Sequence, residues 1–344
     1  MKILHMLQSD RFSGAENVVC QIISMCKDEN MEFVYSSQDG QIREALEERG
    51  IEFHPIKKVS VSEFKRIIKE VKPDIIHAHD MAASFFAALA CGKIPLVSHI
   101  HNNAYDSRGV SLKSILYRFA AKKAKHIIWV SQSSLDGYAF HKAFEAKSSV
   151  LYNIIDVGAL KDKIALDPNT YDYDVVYLGR LTYPKNPQRL IEVIGKVVEK
   201  RPETKVAIIG TGDMEEEVRQ LALDKDLLNN VTFLGFQSNP AKILNDSKVM
   251  VMTSRWEGTP MCALESLAMG VPIVSTPTDG LKDLIQDGVN GFLSDDDEQL
   301  AKKIVFLLNE TEKQKEISRN AAEMSIRYND MDIYRDKIFQ AYTK

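Results

Sequence analysis

The stretch SRWEGTPMCALESLAMGVPIVST, residues 254–276, sets two glutamates, Glu257 and Glu265, in otherwise apolar surroundings. An apolar run rarely holds a carboxylate unless a polar group meets it. KVMVMTS ahead of it has the composition of a buried strand, Thr259 and Pro260 read as an N-cap and a first helical residue, Gly270 closes the helix, and VPIVST resumes a strand. This β-α-β pattern puts Glu257 in the loop after the first strand and Glu265 about five residues into the helix, roughly 7.5 Å further along. Between them lie the free N–H groups of a helix start, which attract an anion, with a carboxylate on each side to accept hydrogen bonds from hydroxyls. A phosphate carrying sugars at both ends suits that arrangement.

Other stretches carry candidate chemistry. YLGRLTYPKN places Arg180 at a strand end and Lys185 five residues later, before a helix beginning near Pro187. Two such cations suit a diphosphate, Arg as a fork and Lys as a point charge; a solvated basic loop is the plain alternative. RFSGAENVV follows the first strand and opens a helix, so Gly14 would let a ligand approach the backbone, although a tight strand-to-helix turn is the simpler account. Neither it nor IIGTGD (Ile208 to Asp213) is the three-glycine dinucleotide fingerprint, which weighs against a NAD-dependent enzyme.

The histidines form two H-x-H pairs, His77 with His79 and His99 with His101, each sharing one face of a strand. Four imidazoles near two strand ends could bind a metal, but no zinc spacing accompanies them, and hydrogen-bonded strand-end histidines are expected instead. DYD (Asp172 to Asp174) and DDDE (Asp295 to Glu298) look like metal-binding DxD, yet read equally as a strand entry and a helix start. From Ser111 to His126, five basic residues (Lys113, Arg118, Lys122, Lys123, Lys125) and no acid accompany Leu112, Ile115, Leu116 and Phe119 at helical spacing. That amphipathic basic helix suits peripheral contact with an anionic membrane surface.

The elements that must position these residues alternate along the chain. KILHML, EFVYSS, IEFHPI, DIIHAHD, IPLVSHIH, HIIWVS and SSVLYN are strand candidates separated mostly by amphipathic segments, and DVVYLGR, KVAIIG, VTFLGF, KVMVMTS and VPIVST repeat the pattern. Alternation of this kind implies an α/β fold of two doubly wound, mostly parallel sheets facing across a cleft, with ligands outside the carboxyl ends of the strands. Residues 157–173 lack this rhythm and read as a linker, dividing the chain into domains 1–165 and 166–327, with a C-terminal helix of about 328–344 expected to pack back on the first.

At 344 residues the chain is long enough for about two domains. A hydrophobic fraction of 44% and a charged fraction of 27% are those of a soluble globular protein. Cys20, Cys26, Cys91 and Cys262 show neither CxxC nor zinc spacing and read as reduced cytosolic thiols. The opening MKILHMLQSDR turns polar too soon for a signal peptide, and no run reaches membrane-spanning length. The net charge of −4 is uneven: residues 1–165 carry 22 Lys and Arg against 19 Asp and Glu, and the rest 22 against 29. The first half is therefore the better match for an anionic surface. An acidic chain without basic and aromatic interleaving is not expected to bind nucleic acid.

Glu257 and Glu265 are separated by seven residues, and EGTPMCALESLAMGVPIV resembles the E-x7-E signature of retaining family-4 glycosyltransferases of GT-B fold. The resemblance covers nearly the whole chain in order: SGAE, the histidine strand ends, VSQSS, LYNIID, LGRL with its following lysine, and E-x7-E. It implies two Rossmann-like domains, the C-terminal one binding a nucleotide-sugar and the N-terminal one the acceptor, with no metal or other cofactor required. It further implies that Glu265 binds the ribose hydroxyls and Glu257 the donor sugar's hydroxyls, with N–H groups from Gly258, Thr259, Met261 and Cys262, around Pro260, also at the donor. Arg180 and Lys185 would neutralise the leaving diphosphate, Gly14 would add an N–H to it, and His101, nearer its strand end than His99, would lie beside the donor sugar. Two positions depart from the pattern: Ser13 stands where a first glycine is usual, and Ile154 where a glycine usually follows Asn153.

The expected activity is retaining transfer of a hexose or N-acetylhexosamine from a UDP-sugar to a hydroxyl of a glycan acceptor. The positive first half and basic helix point to a lipid-linked acceptor at the inner face of a bacterial membrane, as in capsule, exopolysaccharide or O-antigen assembly. Two other classes share the architecture: a sugar-nucleotide epimerase, which lacks this E-x7-E context, and a non-catalytic nucleotide-sugar-binding protein, against which the paired cations and glutamates argue.

Overall fold

The computed structural model describes residues 1–26, 30–102, 108–326 and 329–343. The chain forms two compact units, one of residues 1–154 with 330–344, the other of residues 155–329.

In the first unit seven strands, β1 (Lys2–Met6), β2 (Glu32–Ser36), β3 (Glu52–Phe53), β4 (Ile75–His79), β5 (Leu96–Ile100), β6 (His126–Trp129) and β7 (Ser148–Val150), lie in the order β3-β2-β1-β4-β5-β6-β7, all parallel. In the second, β8 (Val175–Leu178), β9 (Val206–Ile209), β10 (Val231–Gly235), β11 (Val249–Met252), β12 (Ile273–Ser275) and β13 (Gly291–Leu293) lie in the order β10-β9-β8-β11-β12-β13, again parallel. The strands are short and buried on both faces, as in Val249–Met252, which is why they read as apolar runs and not as alternating ones. The direction in which successive strands are added reverses at the β1/β4 pair in one sheet and at the β8/β11 pair in the other. Such switch points open crevices beyond the strands' carboxyl ends.

Two expectations change. The supposed linker begins with a helix, Val157–Ala165, capped by Asp156, whose side chain accepts from the Ala159 N–H at 2.9 Å. That helix packs on helices Ala241–Asp246 and Met261–Ala268, so the division falls after Ile154 and not after Ala165. Its nine residues offer only Val157, Leu160 and Ile164 at helical spacing, too short a signal beside the polar run that follows. The strand β13 is not legible locally, because three residues, the first of them the glycine of an Asn-Gly pair, show no periodicity.

The C-terminal helix Met331–Thr343 packs on helix Gly14–Cys26 of the first unit and buries Tyr334, Ile338 and Tyr342. Where the chain enters and leaves the second unit, the Ile155 N–H donates to Asn329 Oδ1 at 3.1 Å, tying both crossings together.

Candidate active site

The second unit gathers the predicted donor residues at its switch point. β8 ends at Leu178, and the chain continues through Gly179, Arg180 and Leu181. The loop after β9 lies flat on this segment: the Leu181 N–H donates to Thr211 O and the Met214 N–H to Leu181 O, both at 3.0 Å. A side chain on Gly210 would stand 2.1 Å from Gly179 O, and one on Gly212 2.1 Å from Leu181 O. The glycines of IIGTGD therefore serve close backbone packing, which holds Arg180 at the strand end. Arg180 itself is exposed and has no ion pair among the described residues.

Residues 183–185 form a helical turn ending at Asn186, a left-handed residue with φ 53°. Arg255, which carried no sequence signal, fastens it. Its guanidinium donates to Tyr183 O at 3.2 Å and to Asn186 Oδ1 at 2.9 Å, and lies 4.3 Å from the centre of the Tyr183 ring. This turn delivers Lys185 to Glu257: Nζ donates to Oε1 at 2.6 Å and to Oε2 at 2.8 Å. The Ser254 hydroxyl donates to the same Oε1 at 2.6 Å. Burial pulls the Lys185 pKa down, but Glu257 more than offsets it and holds the ammonium charged. The pair is a buried ion pair with a hydrogen-bonded support, the condition under which burying charge is tolerated.

Helix Met261–Ala268 starts one residue later than expected. Pro260, with extended ψ of 125°, is the N-cap, and Thr259 precedes it. Pro260 has no N–H, so Met261 and Cys262 present the first free backbone donors of the helix. Helix Asp279–Leu284 presses against the preceding loop so closely that a Cβ on Gly280 would lie 1.4 Å from Gly258 O. Gly280, like Ser254 and Arg255, supports the site without a recognisable spacing in the sequence. Glu265 is half-buried in the fifth position of the helix, and burial pushes its carboxyl up to about 7 against a lowering by Lys163. Burial pushes the Cys262 thiol up to about 12, so it is no nucleophile at neutral pH.

The DxD look-alikes are occupied as structural acids. Asp174 accepts from Arg201 at 3.1 Å and Lys248 at 2.7 Å, Asp172 from Lys205 at 2.6 Å, and Asp295 and Asp297 both pair with Arg189.

Gly14 and His101 belong to the first unit. Gly14 opens helix Gly14–Cys26 after β1, and a Cβ there would meet nothing within 4 Å, so the fold itself does not require glycine. Ser13, standing in place of a glycine, donates to Glu16 Oε2 at 2.5 Å. His101 follows β5; its N–H donates to Asp80 Oδ1 at 3.0 Å, and burial lowers its imidazole pKa to about 3. Asp80 has φ 67°, a strained conformation for a residue with a side chain, and burial raises its carboxyl to about 6. It lines a pocket of about 160 Å³ with Gln8, Met81, Ala82, Asn102 and Lys113.

The expected histidine pairs are joined by His5 of β1, a member the pair spacing did not show. Two trios, His5 with His77 and His79, and His79 with His99 and His101, have nitrogens within 4.8 Å of one another. These could hold a metal only after rearrangement, because adjacent rings such as His79 and His101, with centroids 5.1 Å apart and planes 24° apart, meet edge to edge, Nδ1 2.8 Å from Nε2. Nitrogens that point at one another do not point at a common ion.

This architecture is that of the GT-B glycosyltransferases. HepE of Anabaena, solved with UDP and glucose, superposes with a TM-score of 0.88 over 99% of this chain and 98% of its own, at 23% identity. Residues 12–158 match the family model described as Glycosyltransferase Family 4, and residues 160–324 that described as Glycosyl transferases group 1. The chain belongs to the family-4 glycosyltransferases.

Among its relatives is an uncharacterized glycosyltransferase of Methanocaldococcus jannaschii, 30% identical over 61% of this chain and 57% of the relative's length. The Escherichia coli UDP-Gal:α-D-GlcNAc-diphosphoundecaprenol α-1,3-galactosyltransferase is 25% identical over 85% of this chain and 84% of its own. The Staphylococcus aureus capsular polysaccharide biosynthesis glycosyltransferase CapH is 23% identical over 77% and 78%.

Proposed function

We propose that the protein transfers a hexose or N-acetylhexosamine from a UDP-sugar, with retention, to a hydroxyl of a lipid-linked glycan during assembly of a bacterial surface polysaccharide. The observation that carries this reading is the grouping of Arg180, the Lys185–Glu257 pair, the Met261 and Cys262 N–H groups and Glu265 at the β8/β11 switch point. Relatives acting on a diphosphoundecaprenol-linked sugar and in capsule biosynthesis support the acceptor class.

In this mechanism the bond from the sugar C1 to the phosphate oxygen breaks as the acceptor oxygen bonds to C1 on the same face. The acceptor's proton passes to the departing phosphate. Negative charge grows on the diphosphate, so cations and N–H groups placed there favour the transition state over the ground state. Arg180 supplies an unpaired fork. Lys185 uses two of its three N–H donors on Glu257 and keeps one for phosphate. Glu257 thus has two roles, holding Lys185 and offering its remaining acceptor capacity to a sugar hydroxyl. Side-chain cations meet the charge, so the reaction as proposed uses no metal. The pocket beside Asp80, with carboxylate, amide and ammonium walls, suits the hydroxyls and phosphate of the acceptor.

The direct test is incubation with UDP-glucose, UDP-galactose or UDP-N-acetylglucosamine and a polyprenyl-diphosphate sugar, followed by NMR of the product anomer. An α-linked product made from one of these supports the reading; a β-linked product overturns retention, and no transfer from any of them overturns the donor class.

Glu265 adds a pH dependence. Its ionised form accepts from both ribose hydroxyls, whereas the protonated form keeps one oxygen as a donor. With the unliganded carboxyl at about 7, nucleotide binding must expel its proton below that pH, so affinity is full above pH 7 and is lost as pH falls through it. Calorimetry at pH 6 in buffers of different ionisation enthalpy should show native protein releasing about one proton more on UDP binding than Glu265→Gln, and no difference near pH 8.5. Equal release at pH 6 would remove the ribose role.

The expected membrane helix, Leu112–Lys123, turns out inverted relative to an ordinary surface helix. It buries Ser114, Tyr117, Ala120 and Ala121 and leaves Leu112 74%, Ile115 49%, Leu116 41% and Phe119 46% exposed, beside Val110 at 76%. No described helix is long and apolar enough to cross a membrane. The outward apolar stripe flanked by Lys113, Arg118, Lys122 and Lys123 has the composition of a helix lying in an anionic lipid interface. Each apolar side chain contributes about 1.5–3 kcal/mol if fully buried, so Leu116→Ser with Phe119→Ser should weaken flotation with phosphatidylglycerol vesicles by about tenfold or more. Unchanged flotation would separate the helix from the membrane.

A further inference from the structure

The buried histidines of the first unit are ordered by the sheet. His5 of β1 stands opposite His77 of β4, and His79 opposite His99 of β5. Because residues two apart share a strand face, all five imidazoles project to one side and pack against one another. Three of them are linked head to tail: His5 Nδ1 lies 2.9 Å from His79 Nε2, and His79 Nδ1 lies 2.8 Å from His101 Nε2. His77 stands outside this line, its Nδ1 2.8 Å from the Tyr342 hydroxyl.

Burial holds these rings neutral. A neutral imidazole has one N–H and one bare nitrogen, so both hydrogen bonds can form in only two ways. In one, every proton sits on Nε2: His101 donates to His79, which donates to His5, and His5 Nε2–H is left as a donor with nothing to meet. In the other, every proton sits on Nδ1: His5 donates to His79, which donates to His101, and the spare donor is His101 Nδ1–H. Both end nitrogens, His5 Nε2 and His101 Nδ1, are buried without a hydrogen-bond partner. The ends differ in their reach. His5 is wholly enclosed in β1, where a stranded N–H would stay unsatisfied in every state, whereas His101 follows the carboxyl end of β5, where ligands of such sheets bind.

We propose that the chain runs His5 to His79 to His101, holding His101 as the Nδ1–H tautomer that donates to a substrate oxygen, with His79 as the positioning residue that imposes this tautomer. The bare nitrogen is then at His5, and the spare donor is at His101, just beyond the carboxyl end of β5, the edge at which ligands of such sheets bind. The substrate part rests on the glycosyltransferase reading; the tautomer does not.

Long-range ¹⁵N–¹H spectra of the full chain labelled at histidine decide the first part without any variant. The expected result is protonated Nδ1 and bare Nε2 at His5, His79 and His101, assigned by His→Gln changes at each in turn. Protonated Nε2 at His101 in the native protein would overturn the proposal. In His79→Phe, which keeps a ring in the stack but removes both nitrogens, His101 should become a mixture of tautomers, and kcat should fall about tenfold or more while KM for the UDP-sugar changes less than about twofold. His5→Phe, at the remote end, should move the His101 signals in the same direction if His79→Phe fails to fold. Unmoved His101 signals in a folded variant, or a changed tautomer with unchanged kcat, overturn the positioning role. Failure of the underlying function is distinguishable, because the native protein would then show no transfer while its tautomers remained as described.

Discussion

Lys185→Ala should lower turnover by about 10²–10³, the usual loss of about 2.7–4 kcal/mol when one charge-stabilising group is removed, and should also destabilise the fold. The second effect follows from geometry. Lys185 occupies both oxygens of Glu257 at 2.6 and 2.8 Å, and Glu257 is buried, so the variant strands a carboxylate. Removing one partner of a buried pair costs about 3–5 kcal/mol, mostly through the charge left behind. Lys185→Met combined with Glu257→Gln separates the effects, because no charge remains to be stranded. Urea unfolding should show most of the lost stability restored in the double variant, while kcat stays low. A double variant no more stable than Lys185→Ala would show that charge burial is not what the pair relieves, and a normal kcat in the single variant would remove Lys185 from the mechanism.

Arg180→Ala should reduce turnover by a similar factor of about 10²–10³ yet leave stability nearly unchanged. Arg180 is exposed, and surface substitutions of this kind usually stay within about 0.5 kcal/mol. The backbone around it is held by the Gly210 and Gly212 packing and not by its side chain, so the loop should keep its path. Arg180→Lys should recover only part of the rate, since an ammonium cannot reproduce a planar fork on two phosphate oxygens. Steady-state kinetics alongside thermal unfolding check this. A normal rate in Arg180→Ala, or an equal fall in stability, would put the residue outside the diphosphate site. The contrast between two neighbouring cations, one costly to the fold and one not, depends entirely on which of them has a carboxylate to hold.

Much of the architecture was legible in the chain because strands buried on both faces must be apolar and the connections between them must be amphipathic. Two rounds of that alternation specify two doubly wound units. The positions of Glu257 and Glu265 were legible for a related reason: a strand, a loop and a capped helix can be read locally, and helix geometry then spaces the carboxylates. What local reading could not reach was pairing across the chain. The helix at 157–165 reads locally as a linker because its identity lies in the helices it packs on. The helix at 112–123 reads as amphipathic, but spacing cannot say which face turns inward; small Ala120 and Ala121 with Tyr117 meet the core, and the stripe of Leu112, Ile115, Leu116 and Phe119 is left outside.

The sequence by itself thus determined the elements, their parallel order of fold and the residue types gathered at the strand ends. Only the tertiary structure decided that Lys185 belongs to Glu257, 72 positions away, that Gly280 must lack a side chain to admit Gly258, and that His5 joins His79 and His101 in one line. The reason is physical: secondary structure follows from interactions within a few residues, whereas the protonation, charge and backbone fit of a site are set by what desolvates it, and desolvation is a property of the folded neighbourhood.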